Sequence, residues 1–282
     1  QEDGRVVDLY KSITTIFECK PEYFFQYCLK MADKDQLNDR EYYHGLKSYV
    51  DSVVYPDFPY SHVYAIKEVV ERIPSDSILH LSINDSIRIT NFFKLNPRIK
   101  TYANIGTHGI DGCLSSFLGQ AAAGDKQSYL VIGDLAFFYD MNAMRLRHIK
   151  NNVHILLINN EGGSEFYFNH MWKDEASDLH TTARHHTKAE GWVKSNNFIY
   201  LSAHDKESMQ EVLKEFMRSD LDKPVFLEVF TEMKTDSDVI YDFFDLSRPK
   251  DVQSETIRRS KEFIKATIGQ EKAQKIAGLF KK

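Results

Sequence analysis

Asp134, Asn159 and Asn160 are the side chains whose setting offers the clearest chemistry. The stretches "VIGDLAFFYD" (131–140) and "ILLINNEGG" (155–163) each read as a buried strand running into side-chain oxygens, with Gly133, Gly162 and Gly163 beside them. A carboxylate, an amide oxygen and a nearby backbone carbonyl form a hard-oxygen donor set. Such a set suits Mg²⁺, which commonly completes its shell with substrate phosphates. Glycines beside the cation let the backbone approach a diphosphate and offer it N–H groups, helped by the start of the helix that follows Leu135. Taken singly, an Asp after a strand is often a helix N-cap, and Asn-Asn before Glu-Gly-Gly is often a turn. The interval between Asp134 and Asn160 is what one helix and one return strand consume, and that favours a shared site over two unrelated ends.

Convergence requires a scaffold that places both strand ends on one edge. From residue 61 the sequence supplies it. "SHVYAIKEVVERI" is apolar at helical spacing, "SILHLSI" reads as a short buried strand, and "DSIRITNFFKL" is helical. "TYANIG" leads through a loop into the small-residue helix "IDGCLSSFLGQAAAG". The strands "SYLVIGD", "VHILLINN", "FIYLSA" and "PVFLEVF" follow, separated by the helices "AFFYDMNAMRLRHI", "HTKAEGWVKSNN" and "KESMQEVLKEFMRS". Strands apolar throughout and alternating with helices predict an α/β fold, a doubly wound, mostly parallel sheet with helices on both faces. Ligands bind such sheets beyond the carboxyl ends of the strands. The predicted α/β domain covers 61–235. Residues 21–60 read as connecting helices, with "CKPEYFFQYCLKM" opening at a proline, and 236–282 as a helical, basic C-terminal extension. The opening "GRVVDLYKSITTIFE" reads as strand.

Composition excludes several function classes. The 282 residues are 42% hydrophobic, enough for a sizeable core, and the net charge of -5 leaves no nucleic-acid footprint. Cys19, Cys28 and Cys113 share no metal-ligand spacing, and their odd number argues against a disulfide framework and for a reducing cytoplasm. No apolar run approaches a membrane span, so no membrane partner is expected. The nicotinamide fingerprint G-x-G-x-x-G is missing after a first strand. His180, His185 and His186, with His170 nearby, match no closed metal-ligand set. His108, in the loop before Ile110, is a candidate catalytic residue, and the aromatic string "EFYFNHMW" (165–172) a candidate pocket lip.

Gly133-Asp134-Leu135 followed by Asn159-Asn160 resembles the GDG…NN motif of thiamine diphosphate (ThDP) enzymes, with Leu135 where that motif has its second glycine. "GDLxxxYDxNAxxL" (133–146), "NNxGG" (159–163) and "NxGxxGIDGxxS" (104–115) are together similar to the SEPHCHC synthases of menaquinone biosynthesis, and "DSIRITNFF" resembles that family's serine- and arginine-bearing helix start. The resemblance implies a ThDP- and Mg²⁺-binding domain of an enzyme that decarboxylates a small-molecule 2-oxo acid and forms a carbon–carbon bond. It implies Asp134, Asn160 and the Gly162 carbonyl as Mg²⁺ ligands. Gly133, Leu135, Ala136 and Gly163 would hold the diphosphate, and Ile110 would support the bent cofactor. Arg88 would grip a substrate carboxylate, with Glu165 and Phe166 lining the substrate side.

Two positions depart from the family. Ile105 stands where it has an arginine, and Glu165 where it places an apolar residue. These leave open a different ThDP-dependent decarboxylase or acyl-transferring synthase, or a noncatalytic ThDP-binding domain. The resemblance further implies a separate N-terminal pyrimidine-binding domain carrying the activating glutamate, a homodimer or tetramer in the full-length protein, and residues 1–20 as the remnant of a central domain. On that reading the chain alone is inactive.

Overall fold

The computed structural model describes residues 5–9, 11–32, 40–168 and 179–247. The chain divides into two compact units, 1–54 and 55–282. In the first, α1 (Pro21–Met31) starts with proline, whose fixed φ suits the first turn, and α2 (Glu41–Asp51) follows; neither helix buries a residue. Phe17 packs on Phe24 at 4.9 Å between ring centroids. The strand predicted at the start is not formed among the described residues of 5–20. Val6, Val7, Ile13 and Ile16 are exposed there, and β-branched side chains alone do not make a strand without a neighbour to complete its ladder.

The second unit begins with α3 (His62–Val70), whose N-cap Ser61 accepts the Tyr64 N–H. Then come β1 (Ile78–Leu81), α4 (Asp85–Thr90), β2 (Lys100–Ala103), α5 (Cys113–Ala122), β3 (Ser128–Gly133) and α6 (Asp134–Asp140). They are followed by β4 (Val153–Asn159), α7 (Ser164–Phe168), α8 (Glu190–Ser195), β5 (Ile199–Ala203), α9 (Lys206–Phe216), β6 (Val225–Phe230) and α10 (Met233–Ser247). The six strands form one sheet in the order β2-β1-β3-β4-β6-β5, and every neighbouring pair is parallel.

Period-two alternation sends side chains to two cores. Tyr129 and Val131 of β3 join Leu156, Ile158, Leu227 and Val229 under α3, α9 and α10, while Leu130 and Ile132 join Ile155, Leu157 and Phe226 under α5, α6 and α8. The sheet is therefore doubly wound. Strand order reverses between β1 and β3, which opens a crevice at their carboxyl ends.

Three predicted elements change shape. "TYANIG" contributes the edge strand β2, all of whose residues are exposed. The helix predicted over 136–149 stops at Asp140 and tightens into a 3-10 turn, Met141–Arg145. There the Asp140 carboxylate accepts both the backbone N–H and the hydroxyl of Ser115, capping the first turn of α5 from outside. Helix α10 runs through the expected boundary at 235 and buries Val239, Ile240 and Phe243 in the sheet's core. The rest of the predicted C-terminal extension, 248–282, lies outside the described residues.

Candidate active site

Strands β3 and β4 are parallel neighbours with Gly133 opposite Ile158, so the residues that leave them, Asp134 and Asn160, emerge side by side. Asp134 is the first residue of α6 and not its cap, a place that Gly133 takes. Its buried carboxylate accepts the Leu135 N–H through Oδ1 (2.6 Å) and the Gly162 N–H through Oδ2 (3.0 Å), joining the two strand ends directly. Asn160 donates its Nδ2 to Asp236 Oδ2 at 2.9 Å. That donation fixes the amide orientation and turns the Oδ1 acceptor the other way.

The turn between them needs its glycine. Gly162 sits at φ +152°, and a Cβ there would lie 2.6 Å from the Thr182 carbonyl oxygen. Gly133 is different. It has ordinary extended backbone, and a Cβ built on it meets no atom within 4 Å, so this glycine leaves room for something outside the chain.

These residues wall an open-mouthed cavity. Gly133, Asp134, Leu135 and Ala136 contribute one side, and Asn160, Gly162 and Gly163 another; Ile110, Glu165 and Phe166 complete the sequence-predicted group on the wall. Arg88 is off the wall but reaches Glu165, its Nη2 donating to Oε1 at 2.9 Å. His108 is not brought to the cavity: it is exposed in its loop, with φ +56°. Of the predicted aromatic lip, Phe166 is in place, and 169–172, with His170, lies outside the described residues.

Sequence reasoning missed a buried polar group on the cavity wall, His62 and Asp85, with Asp236 behind them. His62, 1% exposed, places Nδ1 3.2 Å from Asp236 Oδ1 and Nε2 3.8 Å from Asp85 Oδ2. Its backbone N–H donates to the same Asp236 oxygen at 2.8 Å. Burial works against the imidazolium, but the two carboxylates outweigh it and the pKa is raised above the ordinary value. Burial likewise works against the Asp236 carboxylate, and His62 and Asn160 outweigh it, holding its pKa below the usual range. Asp85 goes the other way: burial raises its pKa although His62, Ser164 and Arg88 favour the charge. A histidine at the start of an apolar helix carries no sequence signal for this role, and Asp236 falls beyond the predicted domain end.

Another buried carboxylate, Glu228 of β6, accepts from Asn159 Nδ2 (2.7 Å), the Ala189 N–H (3.1 Å) and the Tyr200 hydroxyl (2.7 Å). It occupies Asn159 structurally and leaves Asn160 as the amide on the cavity. His185 stands 3.3 Å from Asp134 Oδ2 through Nε2, while its Nδ1 accepts the Thr187 N–H, so the proton of the neutral ring is on Nε2. Burial lowers and the bond to Asp134, the larger influence, raises the His185 pKa, for a net increase. Among the described residues no group of three or more His, Cys, Asp or Glu is placed to hold a metal.

The donors that could hold a divalent cation are therefore mixed: the Asp134 carboxylate, Asn160 Oδ1 and the Gly162 carbonyl, which spends one lone pair on the Ser164 N–H (3.1 Å) and keeps another. All are hard oxygens, the chemistry Mg²⁺ prefers. The space over Gly133, and the buried Ser82 hydroxyl on the cavity wall with no protein partner among the described residues, fit a polar ligand beside that cation.

No protein-family model matches the chain. Individual proteins do. It is 35% identical over 250 residues to the 2-succinyl-5-enolpyruvyl-6-hydroxy-3-cyclohexene-1-carboxylate synthase of Bacteroides thetaiotaomicron, covering 88% of this chain and 44% of that protein. It is 34% identical over 244 residues to the protein of the same name from Phocaeicola vulgatus (86% and 43%), and 34% identical over 193 residues to that of Christiangramia forsetii (68% and 33%). The chain thus spans somewhat under half the length of the curated relatives it matches. Along that span, this parallel α/β chain is a relative of the 2-succinyl-5-enolpyruvyl-6-hydroxy-3-cyclohexene-1-carboxylate (SEPHCHC) synthases.

Proposed function

We propose that the chain is the thiamine diphosphate- and Mg²⁺-binding part of an enzyme that decarboxylates a 2-oxo acid and joins the remaining carbon unit to an acceptor, as a SEPHCHC synthase-like enzyme would. The observation that carries this is the meeting of Asp134, Asn160 and Gly162 at one cavity, in the order of the motif they resemble. Asp134 and Asn160 would hold the cation by side-chain oxygens, and Gly162 by its carbonyl. Gly133, Leu135, Ala136 and Gly163 would bound the diphosphate, and Ile110 would support the bent cofactor. When bound, ThDP supplies the electron sink for cleaving and making bonds at a carbonyl carbon. Phe166 and the other wall residues would exclude water and orient the 2-oxo acid, whose placement near the reacting carbon is worth several orders of magnitude in rate.

Activity on this reading belongs to the full protein, in which a separate pyrimidine-binding domain supplies the activating glutamate and chains assemble as dimers or tetramers. The chain alone would be inactive. The names of the relatives support the carbon–carbon bond-forming reaction. One observation favours a second reading, decarboxylation with a different acceptor or none: Arg88 is already paired with Glu165.

The test is CO₂ release from a panel of 2-oxo acids by the full protein with ThDP and Mg²⁺, with and without candidate acceptors. Release from at least one acid, dependent on both additions, is expected; none from any acid, with the cofactor bound, would contradict the proposed reaction.

A further inference from the structure

Asp236 lies in the first turn of α10, wholly buried behind the cavity wall, and both its oxygens are engaged. Oδ1 accepts the His62 backbone N–H at 2.8 Å, with the imidazole Nδ1 at 3.2 Å. Oδ2 accepts the Thr231 hydroxyl at 2.7 Å and Asn160 Nδ2 at 2.9 Å, and Asn160 stands on the cavity wall. An amide has a donor end and an acceptor end of nearly the same shape, so its partners alone decide which end faces which way. A carboxylate has no donor to offer. Asp236 can therefore face only the nitrogen of Asn160, and the oxygen is left for the cavity. This arrangement is itself anchored, because the His62 backbone N–H is a donor whatever else changes and holds an oxygen at the Oδ1 position, whereas the Thr231 hydroxyl can turn to either role.

We propose that Asp236 is the positioning residue that makes Asn160 a cation ligand: by accepting from Nδ2 it turns Oδ1 into the cavity, and it thereby sets the affinity of the site for a divalent cation. This rests on the cavity being the ThDP–Mg²⁺ site proposed above. The effect of Asp236 passes through Asn160, and partners that orient a metal ligand typically weigh about 10–100-fold in metal affinity.

Asp236→Asn tests this with almost no change of shape. The His62 N–H keeps the oxygen of the introduced amide, so its nitrogen takes the place of Oδ2 and meets Asn160 Nδ2, donor against donor. Asn160 relieves the conflict by turning over, which presents N–H groups to the cavity in place of an oxygen. Adding Asn160→Asp removes the mismatch at unchanged net charge: one carboxylate oxygen accepts from the introduced amide and the other faces the cavity. The readout is the Mg²⁺ concentration that half-saturates calorimetric ThDP binding by the full protein, with thermal unfolding of each variant beside it. Asp236→Asn is expected to need about 10–100-fold more Mg²⁺ than the parent, and the double variant to return to within about threefold of the parent or below it. A purely structural Asp236 would lower the melting temperature of the single variant, leave its Mg²⁺ requirement unchanged and gain nothing from the second substitution. An unchanged requirement in the single variant, or no recovery in the double, overturns the proposal and leaves the cofactor reading standing. If the single variant does not fold, the double variant decides in the same terms. A parent that binds ThDP without need of Mg²⁺, or not at all, overturns the cofactor reading and this proposal together.

Discussion

His62 ties the site to the pH dependence of the fold. Its pKa is raised above the ordinary 6.5, so it binds its proton more tightly in the folded chain than in the unfolded one. The stability this adds is fully present below 6.5 and is lost as pH rises through the raised value. Asp236, held below its ordinary 3.8, gives the opposite flank, with stability present above 3.8 and lost as pH falls through the lowered value. The pair therefore stabilises most between the two. Asp85, raised by burial, subtracts some stability as it ionises within that window. His62→Gln is expected to flatten the alkaline-side fall in melting temperature, leaving the part due to His185, whose pKa is also raised; an unchanged slope would exclude His62 as the source. Two of the site glycines, Gly162 and Gly133, respond differently to a side chain. Gly162→Ala forces a side chain into a backbone region few residues tolerate and into the Thr182 carbonyl, and should cost about 1–3 kcal/mol in denaturant unfolding. Gly133→Ala meets no atom and should melt like the parent, yet bind ThDP roughly tenfold more weakly because its methyl takes ligand space.

At the scale of elements, Glu228 pins three pieces of chain to one another: the end of β4 through Asn159, the start of α8 through the Ala189 N–H, and β5 through the Tyr200 hydroxyl. Glu228→Leu leaves those buried donors without an acceptor and should cost about 3 kcal/mol or more in unfolding free energy; a change below about 1 kcal/mol would show that the donors find other partners. The strands on which these anchors sit were legible because β3, β4 and β6 are buried on both faces and read as continuous apolar runs. Edge strand β2 was not, since "KTYA" is exposed at every residue and has no burial pattern to betray it. Helix ends were also hidden. The stop of α6 at Asp140 depends on a carboxylate turned to Ser115 on another helix, a contact that periodicity within one segment cannot encode.

Over the whole molecule, the parallel sheet brings together what the sequence keeps apart, and the strand-end residues of the cavity were legible because a doubly wound fold allows only one place for them. The buried polar group on its wall was not: His62, Asp85 and, behind them, Asp236 come from α3, α4 and α10, and only the tertiary arrangement makes them neighbours. His108, chosen for its nearness in sequence to Ile110, shows the reverse, since the loop that carries it turns the residue outward. Among the described residues no helix is long and apolar enough to cross a membrane. If Asp134 anchors a cation that in turn holds ThDP, the most direct measurement is calorimetric titration of the full protein with ThDP, with and without Mg²⁺, alongside an Asp134→Ala variant. Binding that requires Mg²⁺ and is lost in a variant that still melts cooperatively is the expected result. Equal binding by parent and variant, or none by the parent with Mg²⁺ present, would contradict it.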